Sequence, residues 1–145
     1  METQILAPAA VLVLWSLLVL LWVAATRFPA IAKSGMDLKN VPPGGRGQNL
    51  DGVLPDNVQW QSHNYTHLME QPTIFYPTVI ILAMIGEGHG VNVTLAWAYV
   101  GLRIAHSLWQ AMVNTIMPVR FGLFMAASTC LIVLAVNAVR ATLGV

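Results

Sequence analysis

Four runs of apolar residues, divided by polar stretches, organise this chain. They cover about 5–26, 65–86, 91–113 and 116–140, each near the roughly 20 residues that a helix needs to cross a bilayer core. Those lengths predict an all-α integral membrane protein, a four-helix bundle in which residues 1–145 form a single membrane domain. The second run is the irregular one. Its cleanly apolar part, Pro72 to Ile85, is too short to cross alone, so the span must recruit Tyr65 to Gln71 and with them His67 and Glu70. Pro77 lies inside this span and is expected to kink or locally open it, because proline brings no N–H to the helix ladder.

The third run carries polar residues at helical spacing. Tyr99, Arg103, His106, Gln110 and Asn114 recur at intervals of three and four, which places them on one face. An arginine facing hydrocarbon at that depth costs about 2.5–3.5 kcal/mol on insertion scales. Arg103 and His106 must therefore face protein, water or ligand.

Between the first and second runs lies a polar loop, 27–64, with Pro42-Pro43-Gly44-Gly45 near its middle. It is too rich in turn residues for continuous helix, although 28–38 can prolong the first span beyond the membrane surface. Arg27, Lys33, Lys39 and Arg46 lie in it, four of the seven basic residues. By the positive-inside rule the loop is cytoplasmic and both termini of this multi-pass protein are non-cytoplasmic. Trp60 and Tyr65 suit the membrane interface. The amino terminus has no basic leader region and its apolar run exceeds the roughly 7–15 residues of a signal-peptide core, so it reads as a retained anchor.

Composition sharpens the picture by exclusion. The chain is 57% hydrophobic and 9% charged, with mean hydropathy +0.66, far from the usual soluble balance of about 25% charged residues. A net charge of +1 with no basic run argues against a nucleic-acid partner. Cys130 stands alone, so no intrachain disulfide can form. His63 and His67 lack a third ligand of matching spacing, and no metal site is expected. Ser107 lacks the partners of a hydrolytic triad.

On this topology the cytoplasmic ends of the last three spans bring together Glu70, the Arg103–His106–Gln110 stripe and Arg120. Two arginines against one glutamate suit an anionic ligand: a carboxylate, a phosphate headgroup or a thiolate. Purely structural readings stand beside this one. Glu70 with Arg103 makes a buried ion pair that orients helices, His106 a hydrogen-bonding support, and Arg120 a side chain that snorkels to lipid phosphate. A proton-coupled exporter would need a carboxylate at the midplane, and Glu70 lies near an interface.

Four short elements in order carry a family resemblance: His67-Leu68-Met69-Glu70, Phe75-Tyr76-Pro77, Arg103-Ile104-Ala105-His106-Ser107 and Met117-Pro118-Val119-Arg120. Together they resemble the MAPEG family, membrane-associated proteins in eicosanoid and glutathione metabolism, and the resemblance covers the last three spans. It implies a homotrimer of four-helix subunits with a glutathione site between neighbours, open to cytoplasm and lipid. It further implies that Arg120 is catalytic and holds the co-substrate glutathione as thiolate, with Glu70, Arg103 and His106 contacting or supporting its peptide part. His67 and Gln110 stand at further glutathione-binding positions. The implied function is a membrane-bound transferase or peroxidase acting on lipophilic electrophiles; the alternative is a lipid-binding protein of the same fold without turnover. The chain looks most like the bacterial branch, which implies the inner membrane. It departs from the prostaglandin E synthase branch, with His63 and Thr66 where arginines are common, His67 where asparagine is common, and Gln110 and Phe124 where aromatic hydroxyls are expected.

Overall fold

The computed structural model describes residues 2–145. It is all-helical, with no strand among the described residues: α1 (Leu6–Lys33), α2 (Asp56–Leu68), α3 (Pro72–Met84), α4 (Gly90–Met112) and α5 (Phe121–Leu143). Short 3₁₀ turns at Leu38–Asn40 and Gly47–Leu50 punctuate the loop, and an irregular turn, Ile116–Arg120, leads into α5. Among the described residues two helices are long and apolar enough to cross a membrane, Leu6–Lys33 and the stretch Ile116–Leu143.

The first helix outruns the apolar run that predicts it, ending at Lys33 with Pro29 inside it. At 1.5 Å per residue its 28 residues span about 42 Å, well beyond a hydrocarbon core of roughly 30 Å. Large exposed apolar side chains crowd Val11 to Leu21, and further along α1 Arg27 bonds to Ser62 and Gln59 of α2.

The second span differs from expectation. The latter part of the 27–64 stretch is helix, and the rod it begins is interrupted at Met69-Glu70-Gln71, between α2 and α3. The interruption precedes Pro72, which opens α3 at a position where its missing N–H costs nothing. Pro77, by contrast, sits inside α3 without ending it. Met69 closes α2 by donating to the Tyr65 and Thr66 carbonyls, and α3 restarts with Thr73 and Ile74 bonding back to Glu70 and Gln71.

The core is formed along the bundle axis by Leu12 and Val19 of α1, Phe75, Val79 and Leu82 of α3, Tyr99 of α4 and Leu134 of α5. Phe75 stacks on Tyr99 with ring centroids 4.3 Å apart, a geometry worth about 0.5–1.5 kcal/mol beyond simple burial. Opposite the long loop, the Glu2 N–H donates to the Ala83 carbonyl at 2.9 Å. Gly88 permits that approach, since a Cβ there would lie 2.6 Å from the Glu2 carbonyl oxygen.

Candidate functional site

The site starts from the break between α2 and α3. Arg103, on the polar face of α4, is fully buried and sends its guanidinium to the end of α2, where Nη2 donates to the His67 carbonyl at 3.0 Å. That carbonyl belongs to the last turn of a helix, where its backbone partner is the long 3.4 Å contact from the Glu70 N–H, so a cation there satisfies both the oxygen and the helix dipole. Nη1 lies 3.4 Å from His67 Nε2. A guanidinium can only donate, so Nε2 accepts and the proton resides on Nδ1, which donates to Glu70 Oε2 at 2.8 Å. The arrangement is a relay from Arg103 through His67 to Glu70.

This corrects the reading of Glu70 and Arg103 as a buried ion pair. Among the described residues neither salt bridge joins them; Glu70 pairs with His67, and its side chain is 62% exposed. The reason lies in the break, which carries Glu70 off the helical face that would have aimed it at α4.

Arg120 is positioned by local backbone chemistry. The α4 helix ends as Val113 and Asn114 both donate to the Trp109 carbonyl, with Asn114 in the left-handed region at φ 55°, a conformation asparagine tolerates better than most residues. In that pose Asn114 Oδ1 accepts from Arg120 Nη1 at 2.9 Å. The turn before α5 therefore carries its arginine pointed back toward the end of α4.

Two cavities meet at Arg120 and His67, which line both. One, of about 410 Å³, is polar and bounded by Glu70, His63 and Thr66 of the second rod, Gln110 and Asn114 from the end of α4, and Gln48 and Asp51 of the loop. The other, of about 250 Å³, is walled by Ile116, Phe121 and Phe124 with the His106 ring. His67 and His106 lie 4.9 Å apart, centroid to centroid, and Phe124 stacks on His67 at 5.8 Å. Ile116 and Phe121 are at least half exposed, so the apolar cavity is bordered by outward-facing apolar side chains.

Thus the site residues expected from sequence divide into three groups. His67, Glu70, Gln110 and Arg120 line the polar cavity; His106 lines the apolar one. Arg103 lines neither of these and stands behind His67. Gln110 is 3% exposed, and its Oε1 has no hydrogen-bond partner.

Sequence reasoning missed the loop side of the site. Gly47, Gln48 and Asp51 line the polar cavity, brought there by Arg27, which donates to Ser62 Oγ at 3.2 Å, to Gln59 Oε1 at 3.3 Å and to the Gly47 carbonyl. The available signal was the unpaired Arg27 at the end of an apolar run. It also missed the scaffold beneath. Ser107 Oγ accepts from Trp15 Nε1 at 3.0 Å and from Asn64 Nδ2 at 2.8 Å, joining three helices at one point. Gln71, in the break, accepts from the Tyr99 hydroxyl at 3.3 Å and donates to Ser128 Oγ at 2.7 Å.

A helical membrane protein whose polar site and apolar pocket share one arginine at one end of the bundle is the class these features define. A profile of the MAPEG family matches residues 5–140 of the 145-residue chain, and the chain belongs to that family, a membrane protein of the glutathione and eicosanoid metabolism kind. Comparisons with curated proteins and with solved structures give no match.

Proposed function

We propose that the protein is a multi-pass membrane enzyme that binds glutathione in the polar cavity, ionises its thiol beside Arg120, and transfers the sulfur to a lipophilic electrophile held in the apolar cavity. One observation carries the reading: a polar and an apolar cavity share a wall made by Arg120 and His67. The residues present suit the tripeptide. A cavity of about 410 Å³ falls within the roughly 300–1,000 Å³ usual for small-molecule sites. Arg120 offers a cation and Glu70 an acceptor for an ammonium or amide.

The chemistry follows from charge. A thiolate is the nucleophile, and a fixed guanidinium beside it, with water partly excluded by Phe121 and Phe124, favours the ionised form. In transfer, a carbon–sulfur bond forms while the electrophile's leaving group departs with its electron pair, or while a conjugated double bond takes up a proton. In the peroxidase variant the thiolate attacks an O–O bond, releasing the alcohol and leaving a sulfenic acid that a second glutathione reduces to the disulfide and water. Arg103 acts in this scheme through His67, whose tautomer and orientation it sets. His106 borders the electrophile's pocket. Four spans, a homotrimer, cytoplasmic placement of the loop end and an inner-membrane location complete the proposal, drawn from the basic loop residues and the family resemblance.

The thiolate absorbance of glutathione, recorded on the purified protein with an Arg120→Ala control, tests it. A saturable band present in the wild type and absent in the variant is expected; no band at millimolar glutathione would sink the reading. One observation favours the second reading, lipid binding without turnover: the wall of the apolar cavity carries no hydroxyl or thiol. Under that reading lipid co-purifies with the protein and glutathione leaves no spectral trace.

A further inference from the structure

Another polar cavity, of about 390 Å³, lies at the far end of the bundle, where α3 turns into α4 and α5 ends. Its Asn92 and the thiol site's Gln110 stand on the same helix, about 27 Å apart along the axis at 1.5 Å per residue. The cleft has a fixed floor. Asn137 Nδ2 of α5 donates to Asn92 Oδ1 of α4 at 2.8 Å, and Asn92 Nδ2 donates to the Glu87 carbonyl at 2.9 Å. With Asn92 only 8% exposed, this amide ladder ties the turn before α4 to the last turns of α5.

Above the floor stand Glu87, His89 and Arg140, which line the cleft and are exposed. Glu87 and Arg140 share it without pairing: the salt bridges among the described residues are those of His63 with Asp51 and of His67 with Glu70. Two opposite charges held apart across one cavity suit a ligand that carries both. Depth in the membrane decides which ligand is at hand. The stretch that contains α5 is long and apolar enough to cross a bilayer, and Arg140, in its last turn, is the one charged residue of α5. The 23 residues of α5 span about 34 Å against a hydrocarbon core of roughly 30 Å, so Arg140 comes out among the headgroups. Val91 and Val145 also line the cleft and are at least 70% exposed, giving it an apolar lip.

The lining separates three headgroup chemistries. A purely anionic headgroup gains Arg140 but is repelled by Glu87. A choline has no N–H to give a carboxylate and is recognised by aromatic rings, and no Phe, Tyr or Trp lines this cleft. An ethanolamine headgroup brings a phosphate for Arg140 and, two carbons away, a primary ammonium for Glu87. We propose that this cleft binds the headgroup of an ethanolamine phospholipid, with Arg140 and His89 on the phosphate and Glu87 accepting from the ammonium. The site is separate from the glutathione reading and does not depend on it.

The test titrates delipidated full-length protein in detergent with phosphatidylethanolamine, phosphatidylcholine and phosphatidylglycerol, counting bound lipid by native mass spectrometry. Wild type is expected to bind the ethanolamine lipid about fivefold more tightly than either of the others, the scale of one exposed ion pair. Glu87→Gln should make the ethanolamine and choline lipids bind alike, and Arg140→Gln should weaken all three; both side chains are exposed, so the unfolding midpoint of each variant should match wild type. Equal affinities in wild type, or a preference for ethanolamine that survives Glu87→Gln, would overturn the proposal. Phosphoethanolamine alone binding as tightly as the whole lipid would assign the cleft to a soluble phosphate compound and overturn the lipid assignment.

Discussion

Replacing Arg103 separates the relay from the ion pair that the sequence suggests. Arg103 is fully buried, and its firm contact is one charge-assisted hydrogen bond to the His67 carbonyl at 3.0 Å, worth about 1.5–3 kcal/mol. Its three-methylene stem adds about 2.4 kcal/mol at roughly 0.8 per buried CH₂. Against these stands the relief of returning a guanidinium to water, an offset comparable with the hydrogen bond. Arg103→Ala is therefore expected to destabilise by about 2–4 kcal/mol, mostly through lost packing and the cavity left behind. Glu70→Gln should cost under about 0.5 kcal/mol, because the side chain is 62% exposed and an amide oxygen still accepts from His67. The double variant is the decisive measurement. Denaturant unfolding in mixed micelles, followed by tryptophan fluorescence, should give a coupling between the two sites below about 1 kcal/mol. A directly paired buried couple would instead lose about 3–5 kcal/mol on removal of either partner. Coupling above about 2 kcal/mol, or Glu70→Gln as damaging as Arg103→Ala, would refute the relay.

Further outcomes follow from single contacts. Arg120→Ala should eliminate the glutathione thiolate band yet shift stability by less than about 1 kcal/mol, since its resolved hydrogen bond is the one to Asn114; unfolding of the variant at ordinary temperature would contradict the assignment. Asn114→Gly keeps the left-handed backbone and removes the acceptor that aims Arg120, so protein stability should hold while the bound thiol becomes harder to ionise, seen as a pH titration of the band displaced upward; Asn114→Val should instead lose about 1–2 kcal/mol to backbone strain at φ 55°. Gly47→Ala should speed tryptic cleavage after Arg46 by pushing the turn off Arg27, and unchanged cleavage kinetics would show that the loop is held by something else. Gln71→Leu breaks the bridge from Tyr99 to Ser128 and should cost about 1–3 kcal/mol; a neutral result in the same unfolding assay would remove that bridge from the account.

The apolar runs made the helical class legible because lipid-length hydrophobicity leaves few alternatives for the backbone. The face Tyr99–Arg103–His106–Gln110 was legible for the same reason, and all four side chains are buried. The partners were less so. Hydropathy cannot see that Pro72 starts a helix where Pro77 merely sits in one, and that choice decides where Glu70 points. The loop edge was illegible because it depends on one arginine reaching 20 residues along the chain to Gly47 and 35 to Ser62. Such contacts have no periodicity. Likewise nothing in the spacing says that Ser107 is shared by Trp15 and Asn64; only packing three helices together reveals it.

The apolar cavity bordered by Ile116 and Phe121, both turned outward, changes the unit in which its ligand should be counted. Under the proposed function, the hydrophobic substrate reaches that pocket from the bilayer, where it is dissolved at far higher density than in water. Occupancy then tracks the mole fraction of that molecule among the lipids. Adding empty vesicles or detergent at fixed total ligand should lower the rate, a surface-dilution effect, while the water-soluble thiol on the polar side continues to obey its bulk concentration. On that proposal, the shared wall at Arg120 joins two reactants measured on two different concentration scales.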